Sequence, residues 1–525
     1  MTFDTIIKNG TILDGISAGP RVADIGISGK EIKTIGTLGS AKAKQIITAD
    51  NKFVCPGFID IQNHSDSYLT LLEIPSMPSL VSQGVTTIVV GQCGTSLAPL
   101  PNIEAIKSVQ KWHSLAGANL DWLTFEEYFE SLGHYPLGVN VISLVGHSTL
   151  RRGLVGDKVR PATPEEIRIM SKLLKDSLSA GAGGMSLGLV YAHEADSTVE
   201  EITEIARMVA GQKKLLSIHL RSEGAHIAES VNEAIDLAEN TKSSLKISHF
   251  KVRGEKNWPK LEAALSSIDR AYQRGVNVFF DVYPYTTSWT VLYTYLPKWA
   301  YEGGRNAILD NLRDSASRRK ILAYLRDQEE KSLSDIVIAT SETNPALVGK
   351  TLRQIAANQE VSVEEALLNM VAVTNAQVVV FDHNISQDSL PVLLKHPLSL
   401  IASDGAGYDF VYSPSHGLVH PRCFGTFPKF LGLVRDKKVE ISWSDAVKKI
   451  TSRPADKLGV KKRGRLAVGN FADIVVFDPR DVDSRATYVS PYQESDGIDY
   501  VLINGQVVFW KRQLTGETAG EVLRI

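Results

Sequence analysis

The sequence predicts an α/β fold: a (β/α)8 barrel with a small β-sandwich domain built from both termini and a lid inserted after the seventh barrel strand. Three observations lead there. Eight short apolar runs alternate with amphipathic segments through the middle of the chain, as a closed parallel barrel requires. The two ends instead alternate apolar and polar residues between turn signals. The interval between the seventh and eighth runs is too long for a plain connection and must hold structure of its own.

The ends come first. Ile6-Ile7-Lys8, Ala23-Asp24-Ile25-Gly26-Ile27 and Lys33-Thr34-Ile35 read as short strands joined by Asn-Gly and Gly-Lys turns. Residues 472–477 and 500–505 have the same texture. Neither end has enough strands to bury a face. They are therefore expected to meet in one domain, 1–56 with 460–525, leaving 57–459 to the barrel.

The candidate barrel strands are 57–64, 86–91, 139–146, 184–189, 215–220, 245–250, 276–283 and 398–403. Helices between them carry start signals. Thr163-Pro164-Glu165-Glu166 combines a capping box with proline at the first helical position, followed by Ile167, Met170, Leu174 and Leu178 on one face. Ser197-Thr198-Val199-Glu200 reads as a second capping box. The clearest unit runs from Leu215 to Lys251: two apolar strands flank a helical pattern of Ile227, Val231, Ala234, Ile235 and Ala238. Each strand closes on a histidine, His219 and His249, and adjacent parallel strands lie about 4.8 Å apart, so two such imidazoles can share one metal ion. Between 286 and 397, helical patterns around 315–331 and 363–373 mark the insertion, with a lid expected over about 286–350.

At 525 residues and 57.4 kDa the chain has room for one large domain and an accessory one. Lysine and arginine total 57 against 59 acids, net −2, so no global field favours nucleic acid or an anionic membrane. The first residues have no basic region and no long apolar core, and no apolar run approaches the roughly 20 residues that a bilayer needs. Cys55, Cys93 and Cys423 are odd in number and far apart, which argues against a disulfide framework and for a cytoplasmic protein. Self-association into a homo-oligomer stays open.

His64, Cys93, His147, His219, His249 and Asp404 all fall at or just past the C-terminal end of a predicted strand, the catalytic face of such a barrel. Two histidines, a thiol and a carboxylate converging there match the ligand set and open position of a catalytic zinc. Cys93 as thiolate with His219 and His249 as neutral imidazoles would hold the ion. The bound water then has a pKa lowered toward about 7. Asp404 would take its proton and return it to a leaving nitrogen. That machinery suits hydrolysis of an amide.

The motifs P-G-F-I-D (56–60), G-Q-C-G-T-S (91–96), G-H-S-T-L-R (146–151), I-H-L-R-S-E-G (218–224) and I-S-H-F-K (247–251) run along the chain. D-V-Y-P-Y-T (281–286), S-D-G (403–405), H-P-R (420–422), G-T-F-P (425–428) and A-D-I-V-V-F-D-P (472–479) continue the series. In these the sequence resembles the amidohydrolase superfamily and, within it, the N-acyl-D-amino-acid deacylase (D-aminoacylase) family. The resemblance implies a metal-bearing barrel that hydrolyses small N-acyl-D-amino acids. It implies Cys93, His219 and His249 as zinc ligands, Asp404 as the base, and Lys251 and Tyr283 as contacts of the substrate's α-carboxylate. His64 and Tyr191 join them as substrate contacts.

One position departs from the pattern. The superfamily reads His-x-His after the first strand, whereas this chain reads Gln62-Asn63-His64. A neutral amide is a poor zinc ligand beside imidazole, so one tightly bound ion is expected and a second is disfavoured. Two rival readings are a cyclic-amide hydrolase of the dihydroorotase or hydantoinase kind and an inactive barrel serving as a scaffold. Gln62 and Cys93 argue against the first; the joint presence of Cys93, His219, His249 and Asp404 argues against the second. The stretch 285–297 carries no cation near the side-chain pocket and suggests a neutral or hydrophobic D-residue.

Overall fold

Eight barrel strands form in chain order: Phe58–Asp60, Val85–Val90, Asn140–Ser143 continued by Val145–Gly146, Gly184–Gly188, Leu215–His219, Ser244–Ile247, Val278–Val282 and Ser399–Ile401. Every neighbouring pair is parallel. The ring closes through a parallel bridge between Asn63 and Gly405, where the Asp404 amide donates to the Gln62 carbonyl over 2.9 Å. The structure, a computed structural model, describes residues 2–107, 120–156, 160–301, 303–327, 333–341, 344–411 and 417–525.

Strand periodicity explains what points inward. In the fifth strand Leu216 and Ile218 pack outward against the helices, while Leu215 joins an inner apolar layer with Ile59, Val89, Ile142, Phe279 and Leu400. Ser217 and His219, on the inner side, lie above that layer. The sixth strand repeats this: Leu245 and Ile247 face the helices and leave Lys246 inside. The barrel is thus apolar at its base and polar toward the C-terminal ends of its strands.

The termini meet as the strand pattern requires. Thr2–Ile12, Arg21–Ser28, Glu31–Gly36, Lys42–Thr48 and Phe53–Pro56 share one nine-stranded sheet with Ile474–Phe477, Ile498–Ile503, Gln506–Trp510 and Gln513–Leu514. The seam is the antiparallel pairing of Phe53–Pro56 with Ile474–Phe477. Ile7, Ile25, Ile27 and Val54 pack there against Ile474, Val476 and Leu502.

The insertion has its own sheet, with Val378–Asp382 between Ser288–Val291 and Val337–Ser341, and its own core including Ile308, Ile321, Ile338 and Leu367. That sheet carries the insertion past 350, the end suggested by sequence. The expected helix over 315–331 is Ser315–Asp327, and 328–331 lie outside the described residues. Val363–Val373 is helical as expected.

The Thr163–Glu166 capping box is complete. The second is displaced. Thr198, not Ser197, caps the helix Val199–Gly211 by accepting from the Glu201 amide. Glu201 cannot complete a box because its carboxylate turns inward to His147 and Arg151. Among the described residues no helix is long and apolar enough to cross a membrane, and all three cysteines are free and buried.

Candidate metal centre and active site

Cys93 follows the second strand, His219 ends the fifth and His249 lies just past the sixth. One ligand atom from each lies within 4.8 Å of the others, and all three residues are buried. Cys93 Sγ is 3.4 Å from His249 Nε2, and the two imidazoles meet edge to face with centroids 4.4 Å apart. Cys93, His249 and Asp404 all adopt positive φ, at 53°, 35° and 49°. Non-glycine residues held there cost conformational energy, which the surrounding structure must impose. Gly94 has no such freedom to change: a Cβ on it would lie 1.7 Å from Glu194 Oε1.

The electrostatics suit a cation. Burial alone would raise the Cys93 thiol, but the charge of His249 and hydrogen bonds from His219, His249 and His64 hold it well below its usual value. Burial and Lys251 would lower His249, yet the charges of Asp404, Cys93 and Glu223 prevail and raise it to about 10. Charges that retain a proton on His249 would equally retain a metal ion in its place. Burial and the charge of His249 lower His219, keeping that ring neutral. Its Nδ1 is buried with no hydrogen-bond partner among the described residues. A thiolate and two imidazoles are donors that fit zinc.

Asp404 stands beside this triad. His64 Nε2 is 3.1 Å from its Oδ1, and Arg422 Nη1 is 2.7 Å from its Oδ2. Burial would raise the carboxyl, but Arg422, His249 and His64 hold it well below the usual carboxylate range. Burial would also lower His64, and its bonds to Asp404 and Cys93 raise it instead, to about 9.

These groups edge a cavity of about 90 Å³, which His64, Tyr191, Lys251 and Tyr283 also line. Tyr191 leans its ring on His219, centroids 5.3 Å apart. The Lys251 ammonium donates to the Glu223 carboxylate and to His249 O at 3.1 Å, and it lies 3.0 Å from His249 Nδ1. Glu223 in turn lies 3.0 Å from His249 Nδ1, so it orients that ring as carboxylates orient metal-binding histidines. The Tyr283 hydroxyl, Trp289 Nε1 and Arg422 Nε, donors of the cavity wall, have no hydrogen-bond partner among the described residues. Arg422 stacks over Tyr283, its Cζ 4.8 Å from the ring centre.

Arg422 and Glu223 lie in the motifs 420–422 and 218–224, yet the sequence assigns neither a role. Arg253, which no motif marks, lines the same cavity as His249 and Lys251. Their spacing of two residues was the available signal. The stretch 285–297 contributes Ser288, Trp289, Thr290 and Thr294, all uncharged, so Arg253 supplies a cation that the stretch lacks. His147 does not join the centre. It is fully buried in the wall, with Nδ1 3.1 Å from Glu194 Oε2 and Nε2 2.8 Å from Glu201 Oε1.

The profile of the amidohydrolase family matches residues 45–509. The chain is 34% identical over 510 residues to the N-acyl-D-glutamate deacylase of Alcaligenes xylosoxydans xylosoxydans, covering 96% of this chain and 93% of that protein. Among solved structures, the N-acyl-D-glutamate deacylase of Bordetella bronchiseptica superposes with a TM-score of 0.85 at 32% identity over the whole of both chains. That protein is complexed with zinc and a phosphonate inhibitor mimicking the tetrahedral intermediate of its reaction. A D-aminoacylase with a binuclear metal centre, subject to one-metal activation and second-metal attenuation, superposes at 0.84 with 31% identity, again over both full chains.

Proposed function

The chain belongs to the amidohydrolase family, and from that premise we propose that it hydrolyses the amide bond of small N-acyl-D-amino acids to a carboxylate and the free D-amino acid. The observation that carries this reading is the convergence of Cys93, His219, His249 and Asp404 on one cavity. Cys93, His219 and His249 would hold a zinc ion, which when bound supplies a Lewis acid and a water of lowered pKa. Asp404, kept anionic by Arg422 and His64, accepts the proton released as water adds to the acyl carbon at its Oδ oxygens. It then returns that proton to the amide nitrogen as the C–N bond breaks, so one water is consumed and no other reactant is needed. Glu223 keeps His249 aligned.

The unpartnered donors suit the substrate's α-carboxylate. Tyr283 O–H and Arg422 Nε can donate to its oxygens, and a guanidinium beside a phenol is a strong carboxylate receptor. Lys251 donates to Glu223 and to the His249 carbonyl, so it holds that pair in place and has one N–H left for the substrate's α-carboxylate. Arg253 favours an acidic side chain over the neutral one that 285–297 alone suggests. The barrel encloses the reacting groups, which strengthens each of these contacts.

The test is release of free amino acid from N-acetyl-D- and N-acetyl-L-glutamate, and from the leucine pair, by zinc-loaded protein. D-selective release is the expected result. Turnover of the L-isomers, or of a cyclic amide in preference to all four, removes the reading.

A further inference from the structure

We propose that Gln62 is a positioning residue that confines the metal centre to a single ion, and that the buried Lys246–Asp281 pair sets the amide in the orientation this requires. The inference rests on the metal-dependent reading above, but concerns a side chain to which that reading gives no role.

Gln62 lies at the end of the first strand and is wholly buried. Its side-chain oxygen accepts from Lys246 Nζ, an ammonium with donors only. The oxygen must therefore face Lys246, which leaves no ambiguity about which way the amide is turned. Its NH2 group then faces the negative side of the centre: 3.3 Å from Cys93 Sγ and 3.4 Å from Asp404 Oδ1. His64 Nε2, 3.4 Å from the same nitrogen, turns instead to Asp404. Lys246, buried completely, is held by Asp281 Oδ2 at 2.8 Å, and Asp281 Oδ1 accepts from the His249 amide at 2.9 Å. Lys246 and Asp281 thus join the Gln62 amide to the backbone of a metal ligand.

The consequence is physical. A second cation sharing Cys93 and His64 would have to stand where the Gln62 protons point. An amide nitrogen has no lone pair to give, and the ammonium, the member of the Lys246–Asp281 pair that touches the amide, adds like charge in a low-dielectric interior that Asp281 only partly offsets. Changing residue 62 alone leaves that charge in place. The amide protons also draw charge from the thiolate, so Gln62 tunes the sulfur that remains bound to the single ion.

Zinc bound per chain, counted by elemental analysis after equilibrium dialysis against rising free zinc, tests the first part. Wild type is expected to level at one ion, Gln62→His also at one, and Gln62→His with Lys246→Gln at two. Two ions in wild type overturn the proposal, and two in Gln62→His alone overturn the part given to Lys246. If the double variant fails to fold, the cobalt-substituted Gln62→Leu protein decides. Loss of the N–H···S bond should move its thiolate-to-cobalt charge-transfer band to lower energy, and an unmoved band overturns the contact. One ion per chain without D-amino-acid release supports this inference while overturning the substrate reading.

Discussion

Two buried clusters of charged groups stand at the same end of the barrel, and they differ in what they leave open. Cys93, His219, His249 and Asp404 edge a cavity, and His219 keeps one nitrogen without a partner. His147, Arg151, Glu194 and Glu201 are all sealed in the wall, and both nitrogens of His147 are taken by carboxylates. Arg151 closes that cluster through Glu201 at 2.9 Å and the His193 carbonyl at 2.6 Å. Residue type and position along the strands do not separate them, nor do perturbed ionisations, since structural networks shift pKa values too. Unused coordination capacity facing a cavity does. The first cluster can take a substrate and an ion; the second, whose Glu194 Oε1 and Glu201 Oε2 also lack partners, lines no part of that cavity.

The contrast is broken or sharpened by substituting one member of each. Asp404→Asn should lower turnover by about 10²- to 10⁴-fold while elemental analysis finds the metal content unchanged; retained turnover excludes Asp404 as the base. His147→Leu should do the reverse. Leaving Glu194 and Glu201 without their shared imidazole is expected to cost about 3–5 kcal/mol of stability, read by denaturant unfolding, with the bound ion still present. Loss of metal in that variant would show that the clusters are one unit.

The same network carries a pH signature. Burial would lower His147, but Glu194 and Glu201 overcome it and raise the ring from 6.5 to about 9. Its contribution is then fully present below pH 6.5 and fades as pH climbs through about 9. Burial would raise Glu201, but His147 and Arg151 lower it from 4.5 to about 2, so its share is present above pH 4.5 and fades as pH falls through about 2. The stability gap between wild type and His147→Gln should therefore narrow between pH 6.5 and pH 9.5; a gap that stays constant assigns the raised proton elsewhere.

Smaller effects belong to the cavity wall. Tyr283→Phe should raise KM about tenfold through loss of one hydrogen bond to a charged group, with kcat nearly kept; a fall in kcat alone would place the phenol at the reacting carbon. Arg253→Met should lower the preference for N-acetyl-D-glutamate over N-acetyl-D-leucine by about two- to fivefold, the scale of a partly exposed ion pair. An unaltered ratio frees the side-chain pocket from Arg253.

All eight barrel strands were legible because a buried parallel strand is a short apolar run whatever surrounds it. The metal-ligand candidates were legible for a related reason: strand ends are local features, and His219 and His249 close two adjacent runs. The second helix starts one residue later than Ser197-Thr198-Val199-Glu200 suggests, because two adjacent hydroxyl residues each stand three before a glutamate, and the Glu201 carboxylate serves His147 and Arg151. A carboxylate's partner is not written in its neighbours. Arg422, Glu223 and Arg253 sat in plain view, but nothing local says which cation will find an anion in the fold.

Periodicity and strand-end placement thus determined the barrel, the joined termini and the identity of the groups that gather at its mouth. Tertiary structure alone decided what each of those groups is free to do. It brought Arg422 to Asp404, aimed Gln62 through a lysine 184 residues away and saturated His147 while leaving His219 open. The physical reason is range: backbone preference acts over a few residues, whereas hydrogen-bond satisfaction and charge pairing are settled between segments that meet only once the barrel has closed.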